Sequence, residues 1–518
     1  MSTDFVPITW GRISRLPPLM RRLAVLALVL PALAGAGCGG GKDSSGPLDE
    51  GLRYLPADAP FAVSIDTDVD GGQYKAAGTI AGKFPFGRAE LRRRLEGLFQ
   101  RGDVDFEEDV KPLLGNPFVV GAVSARSFSR RGESNDFVGA IKTKDGDKLD
   151  ELVKKDKADQ KGEKNGAKLY EDSGGDSFAV KDDVLIVAGS RRLLEEALDR
   201  RDGGDTLDED RFDAALSRLP KEALVRAYFN VKALVDADRR GRQASRIKWV
   251  GALRTLGLTA SAADDEISVD FNLKTDADGL SERDLPIATG AQASAVVQRP
   301  GELGLGLRDP SHLVDFALDA AGAVEGPSVE VAKRQVEQRL GIDIEDDVSN
   351  QLTGDASMTA TPSGKLGVRA ELKDPAAFKR TLAKIAGALP RLAAGLGAGP
   401  VELSKPKRGS GLYALAGPER RRVYFGVLGA VLVISNDPAD ASRLAREKPK
   451  PVEGAKGALV LRADAEKLAT AILAQLSSQL GPLGGLGGQL FTGPLGDLTG
   501  GVTSSTGGMK GSLRLTFH

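Results

Sequence analysis

A chain of 518 residues is several times the usual domain length, so about two to four domains are expected. With 41% hydrophobic and 28% charged residues it can bury real cores, which excludes a wholly disordered chain. A formal net charge of −1 supplies no global field to draw in nucleic acid, and with 5% aromatic residues there are few stacking platforms for carbohydrate.

Arg12, Arg15, Arg21 and Arg22 precede an apolar run from Leu23 to Leu33, and Ala34, Gly35, Ala36 and Gly37 lead into Cys38. This charged, apolar, small-residue order over residues 1–37 is that of a secretory signal. The run is too short for a stable membrane-spanning helix, which takes about 20 residues. The segment resembles a bacterial lipoprotein signal, in which the cysteine after the small residues is acylated and becomes the mature N-terminus. Gly35 departs from that pattern, which usually has Leu there, and Met20 with two following arginines is itself a conventional leader start. Cys38 is the only cysteine, so no intrachain disulfide can form. Cleavage before it leaves 67 basic against 71 acidic residues, a net of −4. Residues 38–51, opening Cys38, Gly39, Gly40, Gly41, read as a flexible tether. The expected partner is therefore a membrane, reached through a lipid on Cys38, and the expected location is the outer face of a bacterial cell membrane.

A first α+β repeat is expected over 52–280. It opens with an alternating strand at Phe61 to Asp66 and a helix with Leu91, Leu95, Leu98 and Phe99 on one face. Next come an acidic segment at Val104 to Val110, strands at 118–123 and 137–141, and a helix carrying Leu149, Leu152 and Val153. Short strands around Tyr170 and Phe178 lead to the buried-type run Val184 to Val187, after which Ser190 is placed to cap a helix with Leu193, Leu194 and Leu198. Phe212 and Leu216 mark another helix, followed by strands at 224–229, 256–261 and 267–273.

The order then recurs over 281–518. Leu303, Leu305 and Leu307 alternate, and Val329, Ala332, Val336 and Leu340 fall on a helical face. Ile342 to Val348 repeats the acidic segment, with Asp343, Glu345, Asp346 and Asp347 answering Asp105, Glu107, Glu108 and Asp109. Val431 to Ile434 matches Val184 to Val187, Asp437 takes the capping place of Ser190, and Leu459 and Val460 are matched with Leu224 and Val225. The register between copies is about 238 at the acidic segment and 229 at the next helix; the nine-residue difference falls at Ala125 to Asn135, a surface insertion that the second copy replaces by Pro362, Ser363 and Gly364. Strands joined by short turns with helices between them predict two tandem α+β repeats, each a largely antiparallel twisted sheet carrying helices.

Four stretches carry a resemblance: LPADAPFAVSID from Leu55, DVDFEEDVKPLLGN from Asp103, VLIVAGSRRLLEEAL from Val184 and RFDAALSRLPKEALVRAYFN from Arg211. Together they resemble the bacterial exported proteins grouped as domain of unknown function family 3352, over essentially all of the first repeat and more faintly the second. The resemblance implies an envelope-associated protein with no assigned reaction, and it brings no catalytic residues with it.

No catalytic set is expected from the residues themselves. His312 and His518 are the only histidines, too few for a nucleophile triad or a zinc cluster within either repeat, and no Walker or dinucleotide motif is present. No cofactor is expected. Asp66, Asp68, Asp70 and Gly71 match the first half of a calcium loop, but Ala77 stands where a bidentate Glu is needed, so these aspartates are a candidate metal set opposed by a plain strand-end turn. The duplicated acids are candidates for paired acid–base carboxylates against a purely structural role at a helix junction. Arg239, Arg240, Arg242, Arg246, Lys248 and Arg254 surround Trp249, a pattern that suits either an anionic membrane surface or a solvated helix face. Leu480 to Phe491 is apolar and rich in glycine, fit to cover an apolar cavity or to serve as a pliant connection. The expectation is a non-enzymatic scaffold or interaction protein of the envelope; the alternative is a carrier of a lipid-like apolar ligand.

Overall fold

The computed structural model describes residues 46–85, 87, 104–125, 136–155, 158–171, 177–297, 302–395, 401–406, 410–417, 422–480 and 492–518. The expected leader, Cys38, the helix expected around Leu91 to Phe99, residues 126–135 of the insertion and the segment Gly481 to Phe491 lie outside the described residues. The chain is mixed α+β, with antiparallel pairing in each unit. It divides into two compact units, one running to Arg242 and taking in Arg254–Lys274, the other formed by Gln243–Leu253 and Thr275–His518. Among the described residues no helix is long and apolar enough to cross a membrane.

In the first unit helix α1 (Pro47–Leu52) precedes strand β1 (Phe61–Ile65). Residues 47–51 of the expected tether are therefore helical. Pro47 at the helix start and Leu48 and Leu52 one turn apart give a short helix whose apolar edge is buried. Helix α2 (Gly72–Lys83), β2 (Phe118–Ala122), β3 (Phe137–Lys142) and α3 (Gly146–Lys155) follow. Then come β4 (Asp159–Lys164), β5 (Ala167–Glu171), β6 (Ser177–Lys181), β7 (Val184–Ala188), α4 (Arg191–Gly203) and α5 (Glu209–Ala215). Strand β8 (Val225–Asn230) is followed by three short helices, α6 (Val231–Asp236), α7 (Arg239–Ala244) and α8 (Lys248–Ala252), the last of which lies in the second unit, and the first unit ends with β9 (Leu253–Ala263) and β10 (Glu266–Thr275). The strands pair in the order β4-β5-β6-β7-β3-β2-β1-β8-β9-β10. The expected cap is in place, with Ser190 Oγ accepting the Leu193 N–H at 3.3 Å.

Alternation along these strands splits the apolar residues between two faces. Ala62, Val119, Ala140, Ile186 and Tyr228 pack under Leu52 of α1, Leu194 and Leu198 of α4 and Phe212 of α5. On the other side Ile65, Phe118, Ile141 and Leu185 pack with Tyr74 of α2, Leu149 and Val153 of α3, and Leu113 and Leu114. Each Val, Leu, Ile or Phe among them contributes about 1.5–3 kcal/mol when fully buried, so both layers matter to stability.

The second unit begins with β11 (Ala295–Val296), which pairs with β19 (Lys450–Pro451) as a separate ribbon. Its sheet is built from β12 (Leu303–Arg308), β13 (Asp355–Ala360), β14 (Leu366–Glu371), β15 (Glu402–Ser404), β16 (Tyr413–Ala416), β17 (Arg422–Leu428), β18 (Val431–Ser435), β20 (Leu459–Asp464), β21 (Leu495–Ser505) and β22 (Gly508–Phe517). The pairing order is β15-β16-β17-β18-β14-β13-β12-β20-β21-β22. Position for position this is the order of the first unit. Helices α9 (Ser311–Glu325), α10 (Pro327–Leu340) and α11 (Ile344–Asp347) lie between β12 and β13, α12 (Pro375–Gly395) follows β14, α13 (Pro438–Arg446) follows β18 and α14 (Ala465–Leu480) follows β20.

Strand registers allow the two units to be compared residue by residue. Phe118 lies opposite Ile65 as Ala356 lies opposite Leu307, an offset of 238 from Phe118 to Ala356. Phe137 lies opposite Ala122 as Leu366 lies opposite Ala360, an offset of 229 from Phe137 to Leu366. One match needs correction. Val225 faces Ile65 and Leu459 faces Leu307, so Val225 corresponds to Leu459 and not to Val460. A one-residue slip in a strand exchanges the buried and open faces, and two adjacent apolar residues hide it.

Among the described residues the second unit shows smaller buried clusters. Val433, Ala441 and Leu444 form one cluster with α13, and Phe425, Val427, Phe378 and Leu382 form another with α12. Helices α9 and α10 contribute no buried residue. Met358 is 46% exposed and Leu366 55%.

Candidate functional site

The end of β1, the turn before β2 and the end of β3 meet at one end of the first unit. Thr67, only 3% exposed, ties the first two together: its hydroxyl donates to the Asn116 carbonyl at 2.6 Å and accepts the Gly115 N–H at 2.8 Å. Asn116 Nδ2 donates to the Lys142 carbonyl at 2.8 Å, and the Lys144 N–H donates to the Leu113 carbonyl at 3.2 Å, which brings in the third. Gly115 has φ of +114°, a conformation that favours glycine, and the end of the Lys144 side chain lies against it.

The braced loops enclose a cleft of about 420 Å³, whose polar lining is Thr67, Asp68, Asp70, Glu107, Lys111 and Lys144. Lys111 Nζ lies 3.1 Å from Glu107 and 3.7 Å from Asp70, and the hydrogen bond to Glu107 leads the effects that hold its pKa above the ordinary value. Asp66 sits just behind. Burial pushes its carboxyl pKa up, against the Asp68 N–H that it accepts at 2.9 Å and the charge of Lys144. The Tyr74 hydroxyl donates to the Asp66 carbonyl.

Asp66, Asp68 and Asp70 do not converge as calcium ligands. Asp66 closes a turn on the Asp68 N–H, and Asp70 is turned toward Lys111. Among the described residues no group of three or more His, Cys, Asp or Glu side chains could hold a metal ion.

The duplicated acids sit at helix starts. Asp105 Oδ1 accepts the Glu108 N–H at 3.0 Å while its own N–H donates to Asp109 Oδ2 at 2.6 Å. In the second unit Asp343 Oδ1 accepts the Asp346 N–H at 2.9 Å and the Asp343 N–H donates to Asp347 Oδ2 at 2.9 Å. Both segments therefore form the same reciprocal cap. Asp109 also bonds Lys155. Burial would raise its pKa, but Lys155 and the Asp105 N–H outweigh it and the carboxyl sits below its ordinary value.

The remaining candidates have local partners. His312 Nε2 stands 3.9 Å from Asp309, and the His518 N–H donates to the Pro494 carbonyl at 2.9 Å. Trp249 packs edge-on to Phe316 of α9 at 6.1 Å, with Lys248 paired to Asp284 at 3.0 Å. The indole is thus engaged inside the second unit, which a reading from the basic residues around it does not reveal. A second cleft, about 480 Å³, is lined by Pro362, Ser363, Gly364, Ala471 and Ala474. Neither cleft was evident from sequence. Sequence reading singled out Asp68, Asp70 and Glu107 of the first cleft as separate candidates, but Thr67, Lys111 and Lys144, far apart in the chain, are brought to them only by the fold.

A family model described as a protein of unknown function (DUF3352) matches residues 23–386. No curated protein matches the chain. Among solved structures, crystal form I of TP0453 is 13% identical, covering 46% of this chain and 83% of that one with a TM-score of 0.26. Crystal form III of TP0453 is 11% identical, covering 45% and 82% with a TM-score of 0.25. The family match spans well over half of the chain, which belongs to the DUF3352 family of proteins of unknown function.

Proposed function

We propose that this protein is an exported, lipid-anchored component of a bacterial cell envelope, made of two copies of one α+β unit and serving a non-enzymatic scaffold or interaction role. The observation that carries the reading is the shared strand order of the two units, with offsets of 238 and 229 at matching register positions. The duplicated acids support it further, because they are spent on helix caps in both units. The leader and Cys38 supply export and anchoring. Native mass spectrometry of the detergent-extracted protein tests this: the expected result is an acylated mature N-terminus at Cys38, and a chain that is unacylated and fully water-soluble overturns it.

A second reading, carriage of a lipid-like apolar ligand, is favoured by one feature of the second unit. Leu461, Leu305, Met358 and Val368 lie side by side across four strands, and Met358 is half-exposed. The same spectrum would show a retained apolar mass released on unfolding.

A further inference from the structure

We propose that the cleft between the β13–β14 turn and α14 in the second unit binds a single acyl chain, that of a fatty acid or another single-chain amphiphile, with the head group left in water. The assignment rests on the second reading above, carriage of an apolar ligand, and gives that ligand a place. Pro362, Ser363 and Gly364 form one wall; Ala471 and Ala474, about one helical turn apart, form the other. Among the described residues this lining holds no charge, and its one hydroxyl, Ser363 Oγ, lies 2.8 Å from Thr361 Oγ1. Both walls grow from one row of the sheet, in which Leu366, Ala360, Leu303 and Ala463 lie side by side. The turn joins Ala360 to Leu366, and α14 begins two residues after Ala463.

The next row on the same face is Val368, Met358, Leu305 and Leu461, so neighbouring positions over four strands are all apolar. A charged ligand would find no partner there, whereas a hydrocarbon chain gains by leaving water. Leu366 is 55% exposed and Ile472, next to Ala471 on α14, is 47% exposed, apolar surface that a bound chain would cover. The turn wall is fixed. The Thr361 N–H donates to the Lys365 carbonyl and the Gly364 N–H to the Thr361 carbonyl, both at 2.9 Å, and Asn436 Nδ2 donates to the Gly364 carbonyl at 2.7 Å. A preformed wall lowers the ordering cost of binding. The volume of about 480 Å³ falls within the roughly 300–1,000 Å³ of small-molecule sites, which suits a chain rather than a folded partner.

Calorimetric titration of the full chain with octanoate, decanoate and laurate, each below its micellar concentration, tests the assignment. Saturable binding is expected, tighter by about tenfold at each step of two methylenes, because every CH₂ is taken out of water. Dodecyltrimethylammonium should bind about as tightly as laurate, since no charged side chain reads the head group. Ala471→Phe and Ser363→Phe fill the cleft from opposite walls, and each should weaken laurate about tenfold or more with circular dichroism unchanged. Ser363 is exposed in a turn, so its variant keeps the test open should the helix variant not fold. Absence of saturable binding at millimolar laurate, no gain with chain length, a preference for one head-group charge, or unaltered binding in a folded variant overturns the site. A dimer in sedimentation that both variants abolish would give the cleft to a second copy and overturns it too. If native spectra of both variants still show a retained apolar mass, carriage stands and this cleft is not its site.

Discussion

Asp66 and Asp109 are both carboxylates beside a lysine, yet the fold moves them in opposite directions. For Asp109 the Lys155 ammonium and the Asp105 N–H win over burial, so its ionised form stabilises the fold. That contribution is complete above the ordinary carboxylate value of 3.8 and is lost as pH falls through the lower folded value. For Asp66 burial wins, so ionisation costs stability. The penalty develops as pH rises through 3.8 and is complete above the raised folded value. Asp66→Asn keeps an acceptor for the Asp68 N–H and removes the buried charge. Its melting temperature should exceed that of the parent at pH 7, and the gain should vanish as pH approaches 3.8. A variant less stable at pH 7 would show that the carboxylate charge is used. Sequence exposed the three aspartates but not their fates. The neighbour of Asp70 is Lys111, forty-one positions on, and that of Asp66 is its own turn.

At the level of elements, the acidic segments make a sharper prediction. Asp105→Ala removes the acceptor of the Glu108 N–H, and Asp343→Ala that of the Asp346 N–H. Each should cost about 1 kcal/mol in urea unfolding, the usual value of an N-cap, and the two should add because they share no partner. Glu107→Gln touches only an exposed pair with Lys111 and should cost at most about 0.5 kcal/mol. Equal effects for Asp105 and Glu107 would remove the capping account. The acid at the cap and the acid four residues later were visible in the sequence, as were β7, with five apolar residues in a row, and the cap at Ser190. Strand β4 was not: its residues Asp159 to Glu163 are exposed and polar, and only pairing with β5 makes them a strand. The slip at Leu224 and Val225 has the same origin, since periodicity cannot choose between adjacent apolar residues when tertiary pairing sets the register.

For the whole molecule, shared strand order does not mean shared stability. The first unit buries two continuous layers, one under α1, α4 and α5 and one with α2 and α3. Among its described residues the second holds smaller clusters, its helical hairpin α9–α10 has no fully buried side chain, and Leu313 and Val331 on that hairpin are exposed. Regions with few buried apolar contacts open at lower free energy, so the second unit should unfold first. Trp249 provides the probe. It is the only tryptophan after residue 37, it belongs to the second unit and it packs against Phe316 of α9. Its emission should therefore shift at a lower urea concentration than the main loss of far-ultraviolet circular dichroism. In hydrogen exchange, peptides from 311–340 should label well before those from 184–198. Coincident transitions would mean that the two units unfold as one cooperative body, and earlier labelling of 184–198 would mean that buried layer continuity does not set the order of opening.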